Sequence, residues 1–290
     1  MKLHFVVGTG RCGSSFVHEI LANHEQVAFI SNVDDNLSWL SLKGRFNNSI
    51  YAATRGAWTK KGTARFAPSE AFQAISREVS PIYENSFRDL LASDVTPWLR
   101  NGFQQFFGSR WQAQGRSCLL HKYTGWSRMG FFGEIFPEAR FVHVVRDGRA
   151  VANSWLQMNW WGGYRGPAHW QWGSMSRELE EEWNASGRSF VVLAGICWRL
   201  LMDSFEQAAS ALDPGRYLEI RYEDFLAEPR ESLGRILEFL ELPWSHRLER
   251  SDLERRIVPS RKNAYERELT PVQLRMLENC IGEDLRRRGY

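Results

Sequence analysis

The residues with the clearest chemical signature lie near the amino terminus, in Gly8-Thr-Gly-Arg-Cys-Gly-Ser-Ser15. Gly8 and Gly13 have the spacing of a Gly-x-x-x-x-Gly-Lys-Ser/Thr phosphate loop, in which backbone N–H groups and a lysine hold nucleotide phosphates. Ser14 stands at the lysine position, and Arg11 lies inside the loop. The missing lysine argues against nucleoside triphosphate chemistry. The planar, permanently charged guanidinium of Arg11 instead suits a shorter anion that lies directly on the loop.

Charged and polar residues also follow the other strands of a predicted sheet. Short apolar runs alternate with longer helical patterns, which is typical of β-α units and a parallel sheet. The predicted strands are Leu3–Val7, Val27–Ser31, Ser117–Leu120, Arg140–Val145 and Tyr217–Ile220. Ligands of such sheets bind beyond the carboxyl ends of the strands. The loop would therefore face the residues that follow the other four strands, which are Ser31–Asp35, His121–Thr124, Arg146–Arg149 and Arg221–Asp224.

The pattern as a whole predicts one α/β domain of residues 1–290, with a parallel β-sheet flanked by helices. Helical spacing predicts helices at Ser14–His24, Arg188–Leu212 and Pro229–Glu241, and a capping box at Thr270 predicts a last helix. Residues 40–115 and 157–187 are less periodic, and we expect them to be insertions that form a wall over the sheet, where loops commonly determine substrate specificity. Six of the 13 tryptophans lie at residues 155–183, where they would either stack on a substrate or pack the insertion.

Composition excludes several classes of protein. The formal net charge of +3, with 24% charged residues, does not indicate a general nucleic-acid or membrane-surface binder. The four cysteines are far apart and have no metal-ligand spacing, so no metal site is predicted. No apolar run is long enough to cross a bilayer, and the first apolar run is too short for a signal peptide. We therefore expect a cytoplasmic protein without a transmembrane segment, and the sequence does not indicate an oligomeric state.

Two motifs in the right order resemble the family of sulfotransferases that use 3′-phosphoadenosine 5′-phosphosulfate (PAPS), in its bacterial, carbohydrate and tyrosylprotein branch. Gly8–Ser15 resembles the family's 5′-phosphosulfate loop, and Phe141–Arg149 with Ser154 resembles its 3′-phosphate motif. Ile220–Phe225 is a third similar block. The resemblance implies a sulfotransferase fold like that of P-loop NTPases. It also implies that PAPS is the donor, PAP is the product, a hydroxyl group is the acceptor and no metal is needed.

The resemblance also implies which residues bind the donor. The 5′-phosphosulfate would lie on the loop residues Arg11, Cys12, Gly13, Ser14 and Ser15. Arg146 and Ser154 would bind the 3′-phosphate, because a helix that starts near Gly148 would bring both to roughly one face.

Three more residues are candidates for donor binding by the same resemblance. Tyr222 would pack near the adenine, with ordinary burial beside the fifth strand as the alternative. Arg261 and Lys262 resemble the family's segment that closes over the nucleotide, although a solvated basic turn accounts for them equally well.

Two residues compete for the role of general base, while Arg11 would stabilise the sulfuryl group electrostatically. Asp34 follows the second predicted strand, where several members of the family place a catalytic carboxylate. His121 follows the third predicted strand, and a histidine needs little adjustment of its pKa to act near neutral pH. Their structural alternatives are a helix cap for the aspartate and a buried histidine at a strand end. The sequence slightly favours Asp34.

The acceptor and two rival functions stay open. Nothing in the predicted insertions distinguishes a glycan from a lipid, a phenol or a peptide. One rival is a P-loop kinase-like phosphotransferase in which Asp147 would hold magnesium, although the loop lacks the lysine. The other rival is a non-catalytic nucleotide-binding module on the same fold.

Overall fold

The sheet consists of five parallel strands. The computed structural model describes residues 1–37, 42–54, 66–249 and 263–290. The strands are β1 (Leu3–Gly8), β2 (Val27–Ala28), β3 (Cys118–Thr124), β4 (Phe141–Val145) and β5 (Tyr217–Arg221). Their order in the sheet is β2-β3-β1-β4-β5, and each neighbouring pair is parallel. This confirms the predicted α/β class with a parallel sheet.

Helices follow and separate the strands along the chain. Those before β4 are α1 (Ser14–Leu21), α2 (Asn32–Asn36), α3 (Asn47–Thr54), α4 (Phe72–Glu78), α5 (Ile82–Asn85), α6 (Pro97–Gln114) and α7 (Met129–Ile135). Those after it are α8 (Gly148–Leu156), α9 (Arg177–Ala185), α10 (Phe190–Ser210), α11 (Tyr222–Ala227), α12 (Pro229–Phe239), α13 (His246–Glu249), α14 (Tyr265–Glu268) and α15 (Pro271–Arg287). Short 3₁₀ turns lie at Ala92–Asp94, Gly162–Arg165 and Pro167–His169. None of the helices in these described ranges is long and apolar enough to cross a membrane.

Helices pack on both faces of the sheet. Because successive side chains of a strand point to opposite sides, each strand contributes residues to both of these cores. Phe5 and Val7 of β1 pack into an aromatic cluster with α6 and α7. Within that cluster the ring of Phe5 stacks on Phe141, with ring centroids 5.3 Å apart. Val6 points the other way, into a second core built with α1, α8, α10, α12 and α15. The sheet edge that carries the loop is thus supported from both sides.

Helix α6 lies within residues 40–115, which the sequence analysis expects to be an insertion, but it packs directly on the sheet. Phe103 and Phe107 of α6 are fully buried and pack against the same face as Phe5. The helix therefore covers the sheet as a crossover helix between β2 and β3. Its polar and glycine residues, interleaved with the aromatic ones, weaken the helical periodicity that a sequence can show.

Strand β3 continues four residues beyond its predicted end at Leu120. His121 and Tyr123 consequently alternate with Lys122 and Thr124 as strand residues. His121 and Tyr123 point into the aromatic cluster, where their rings contact Phe5. Lys122 and Thr124 line the cavity on the other side of the strand. This extension decides which of the four residues can meet a ligand.

Candidate active site

A large cavity opens at the carboxyl edge of β1, β3 and β4. Its volume is about 1520 Å³, which exceeds the roughly 300–1,000 Å³ of ordinary ligand pockets and leaves room for two ligands together. The loop after β1, the end of β3 and helix α8 form one side. Residues of both predicted insertions, including Phe72, Phe87, Trp160 and Trp172, form the other side.

The loop after β1 turns sharply into α1 at Gly13. This glycine has a φ of 96° and forms the N-cap of a helix that begins at Ser14, and no side chain of the described residues caps that helix. The ring of Tyr222 packs directly on Gly13, where a Cβ atom would overlap it. Cys12 is fully buried and packs in the hydrophobic core that contains Val6, so it does not line the cavity. The loop thus offers backbone N–H groups and the positive end of a helix dipole.

Arg11 and two residues more than 130 positions away form a compact basic group. The Nε atom of Arg11 donates a hydrogen bond of 2.9 Å to Ser154 Oγ on α8. Nη1 of Arg146, which follows β4, donates one of 3.0 Å to the Arg11 carbonyl. The Arg146 guanidinium also lies over the Tyr222 ring, 5.1 Å from its centroid. The structure therefore brings together four of the residues that the sequence proposed for donor binding.

Asp147 and Arg149, which flank this group, have structural partners. Asp147 is the N-cap of α8 and accepts a hydrogen bond of 2.8 Å from the Arg149 backbone. The Arg149 guanidinium pairs with Asp147 at 2.8 Å and with Glu278 at 3.0 Å. Arg261 and Lys262, the remaining donor-binding candidates, lie outside the described residues.

Asp34 lies behind the cavity. It is the third residue of α2, where its side chain accepts hydrogen bonds of 2.9 Å from the backbone and the hydroxyl of Ser31. Asn47 donates a further bond of 2.5 Å to the same oxygen. The structure thus places Asp34 in a capping box and does not bring it to the residues that line the cavity.

His121 also lies away from the cavity, on the opposite face of the sheet. It is completely buried, with its ring centroid 5.1 Å from that of Phe107. Burial, with smaller contributions from His18, Lys122 and Arg110, holds the pKa of His121 well below its usual value. The imidazole is therefore neutral, but no acceptor in the cavity can reach it. The sequence misplaced this residue because it ended β3 too early.

Glu70 is a cavity-lining carboxylate whose network of contacts includes the loop after β1. It pairs with Lys122, and both of its oxygens accept from Thr124 Oγ1, at 2.9 and 3.2 Å. Nζ of Lys122 in turn donates a bond of 2.8 Å to Ser15 Oγ of the loop. A carboxylate, an ammonium group and the loop thus form one continuous network at the cavity wall.

Sequence reasoning missed Glu70 because no local signal marks it. It stands in Ala67-Pro-Ser-Glu-Ala71, a non-periodic stretch without a nearby strand. The only available signal was the alternation of Lys122 and Thr124 in β3, which would have pointed to an unidentified acidic partner on that face.

The wall opposite the loop combines aromatic rings with carboxylates. Phe87 and Trp160 line the cavity and stay partly exposed, with relative exposures of 70% and 44%. Trp172 packs against Trp126, with the two ring centroids 6.0 Å apart. Glu84 and Glu180 lie on the same wall. Rings with exposed faces beside hydrogen-bonding groups can hold a ligand that has both apolar and polar parts.

The sheet and the loop define a parallel α/β protein with a glycine-containing loop and a helix N-terminus at the end of the first strand. A profile described as "Sulfotransferase family" matches residues 4–246, so the chain belongs to the sulfotransferase family. No significant match is found among curated protein sequences.

Solved structures show the same fold at low sequence identity. The sulfotransferase STF9 from Mycobacterium avium is 16% identical with a TM-score of 0.56, and the match covers 98% of this chain and 76% of that one. The sulfotransferase domain from the Synechococcus PCC 7002 olefin synthase is 16% identical with a TM-score of 0.51, over 96% and 94% of the two chains. The sulfotransferase domain from the curacin biosynthetic pathway is 13% identical with a TM-score of 0.54, over 97% of each chain.

Proposed function

We propose that this protein transfers the sulfuryl group of PAPS to a hydroxyl group of an acceptor and releases PAP. The observation that carries the proposal is the group formed by Arg11, Ser154 and Arg146 around the loop. PAPS has a phosphosulfate at one end of its ribose and a separate 3′-phosphate, so its binding requires two neighbouring anion sites. A loop with one guanidinium inside it and a second guanidinium beside it meets that requirement.

The donor would extend from the loop toward Tyr222. The backbone of Cys12 and Gly13, with the hydroxyls of Ser14 and Ser15, would hold the 5′-phosphosulfate. Arg146 and Ser154 would bind the 3′-phosphate, and the Tyr222 ring would pack near the adenine. By resemblance to the family, Arg261 and Lys262 would close over the bound nucleotide.

The reaction would be an in-line displacement at sulfur. Glu70 takes the proton of the acceptor hydroxyl, and the acceptor oxygen forms a bond to sulfur. The bond between sulfur and the bridging oxygen of the 5′-phosphate breaks, and PAP leaves with that electron pair. Arg11 and Lys122 stabilise the charge on the oxygens around sulfur, since such loose transition states are stabilised mainly by positioning and electrostatics.

Glu70 replaces Asp34 and His121 as the proposed general base. It is the carboxylate next to both the loop and the open cavity, whereas the other two residues lie behind the wall. Thr124 and Lys122 orient its two oxygens from β3, an interior strand of the sheet that pairs with β1 and β2. This placement lets an acceptor approach sulfur from the side opposite the nucleotide.

The acceptor would occupy the aromatic wall. The proposed single domain of residues 1–290 uses parts of both predicted insertions for this purpose, with Phe87 and Trp160 at the open side. These rings would contact the body of the acceptor while its hydroxyl meets Glu70. The wall is compatible with a glycan, a lipid, a phenol or a peptide.

Calorimetry with an Arg146→Ala variant tests the donor site. Loss of a charge-assisted hydrogen bond is worth about 1.5–3 kcal/mol, so the Kd for PAP should rise by about 10- to 100-fold. The Kd for 5′-AMP, which lacks the 3′-phosphate, should stay within about twofold. Arg149→Ala is the matched control, because its guanidinium is engaged by carboxylates and PAP binding should persist.

Equal loss of PAP and 5′-AMP binding in Arg146→Ala would contradict the 3′-phosphate assignment. Stabilisation of the protein by ATP with magnesium, but not by PAP, would favour the phosphotransferase alternative instead.

A further inference from the structure

A buried carboxylate lies directly behind the segment that carries Glu70. Asp35 of α2 is 8% exposed, and its two oxygens bind two separate points of that segment. Oδ2 accepts a hydrogen bond of 2.8 Å from Ser69 Oγ, and Oδ1 accepts one of 2.8 Å from the Ala74 backbone. The two contacts lie on either side of Glu70 in the chain. Asp35 therefore connects the preceding residue to the first turn of α4.

The backbone next to Glu70 has a conformation that its surroundings must impose. Ala71 has a φ of 55°, in the left-handed region, which costs a residue with a Cβ atom about 1 kcal/mol or more. Ser69 Oγ accepts a hydrogen bond of 3.1 Å from the Ala71 backbone, and Ser69 N donates one of 2.8 Å to Ile30. The Ser69 hydroxyl thus links the Asp35 carboxylate to the backbone of the strained residue, Ala71.

The carbonyl of Glu70 is held from the opposite side. Tyr83 donates a hydrogen bond of 3.2 Å from its hydroxyl to this carbonyl. His121 Nε2 lies 3.1 Å from the same hydroxyl. Because the single Tyr83 proton points to Glu70, the neutral imidazole donates from Nε2 to the Tyr83 oxygen. Both residue groups that the sequence singled out, the paired aspartates and His121, therefore lie behind Glu70.

We propose that Asp35 is a positioning residue for the Glu70 base, an inference that rests on the proposed function. Its two hydrogen bonds fix the turn that aims the Glu70 side chain at the cavity. A shift of about 1 Å in a catalytic group can lower the rate by about 100-fold. Asp35 itself does not reach the acceptor, and it acts only through the backbone and Ser69.

The test is the steady-state kinetics of Asp35→Asn in the full chain, with sulfur-labelled PAPS as donor and a hydroxyl acceptor found by screening. Asparagine keeps the size of the side chain, but its single acceptor oxygen cannot accept from both Ser69 Oγ and the Ala74 backbone. The kcat should fall by about 10- to 100-fold. The KM for the acceptor and the Kd for PAP should stay within about threefold, since neither binding wall changes.

Asp34→Asn is the matched control. Asp34 is the neighbouring residue on the same short helix and is equally buried, but it binds Ser31 and Asn47 rather than the Glu70 turn. Its kcat should stay within about threefold of the wild type. If both variants lose kcat equally, or if Asp35→Asn retains it, Asp35 does not position the base.

A double-mutant cycle with Glu70→Gln separates this inference from the proposed function. When the base is already absent, Asp35→Asn should lower the residual rate by less than about threefold, because the two changes act on one unit. The same 10- to 100-fold loss in that background would overturn the proposal. A Glu70→Gln variant with normal kcat would instead refute the base assignment itself. Ser69→Ala, which removes one of the two contacts, gives the same readout if Asp35→Asn does not fold.

Discussion

Replacing Glu70 by glutamine removes the proposed base while it keeps the size of the side chain. Glu70 accepts from Thr124 with both oxygens and pairs with Lys122. Glutamine retains one acceptor oxygen, so the hydrogen bond from Thr124 can persist, but the amide cannot take a proton at neutral pH. The substitution therefore tests proton removal rather than the packing of the wall.

The expected loss follows from the role of the group. General base catalysis contributes about 10²–10⁴ in rate, so the kcat of Glu70→Gln should fall by that factor, or by about 3–5 kcal/mol in the activation free energy. Lys122 loses its carboxylate partner but keeps its bond to Ser15 in the loop. We therefore expect the affinity for PAP to be unchanged or higher, because the ammonium group becomes more available to an anion.

The assay is transfer of labelled sulfuryl groups to an acceptor, with PAP binding measured separately by calorimetry. Glu78→Gln is a suitable control, because it removes a nearby carboxylate that pairs with Arg110 away from the cavity. Its kcat should stay within about threefold. A Glu70→Gln variant with undiminished kcat, or one that loses PAP binding in parallel with activity, would refute the assignment.

Further predictions concern the loop, the buried histidines and the acceptor wall. Gly13→Ala should abolish PAP binding in calorimetry, because its φ is 96° and a Cβ would overlap Tyr222, whereas Gly115→Ala, also at positive φ but in open space, should keep it. Burial lowers the pKa of His143 to about 3, so the folded protein keeps it neutral while the unfolded chain protonates it below about pH 6.5. The contribution of neutral His143 to the free energy of unfolding is complete above pH 6.5 and is lost as the pH falls, because the unfolded chain then binds a proton that the folded protein does not. The free energy of unfolding, measured with urea, should therefore decrease by up to about 1.4 kcal/mol per pH unit more than in His143→Asn. Equal slopes would contradict this. Trp160→Ala should raise the acceptor KM by about 2- to 10-fold without changing the Kd for PAP, since an aromatic contact contributes about 0.5–1.5 kcal/mol beyond its buried area. An unchanged KM would show that this ring does not contact the acceptor.

The sheet and the position of the loop at its edge could be predicted from the sequence because local patterns encode them. Apolar runs marked all five strands, and the glycine spacing of the loop required only a strand before it and a helix after it. Arg146 could be assigned to the same crevice because parallel strands end at one edge. The hydrogen bonds among Arg11, Ser154 and Arg146 link residues whose types and order already indicated an anion site.

The proposed base, Glu70, could not be predicted because its position depends on contacts between distant segments. The end of β3 was placed at Leu120, and the four further residues of the strand reverse the direction in which His121 points. Glu70 reaches the cavity through a strained turn held by Asp35, and no spacing in the sequence shows such a turn. The two aspartates of the sequence hypothesis lie in α2 and do not line the cavity.

The most direct test of the central claim is a comparison of nucleotides by calorimetry on the unmodified protein. The proposal requires two anion sites matched to PAPS, so PAP should bind at least about tenfold more tightly than 5′-AMP, and without a requirement for magnesium. ATP with magnesium should bind no better than 5′-AMP. Tight binding of ATP with magnesium together with no measurable binding of PAP would contradict the account.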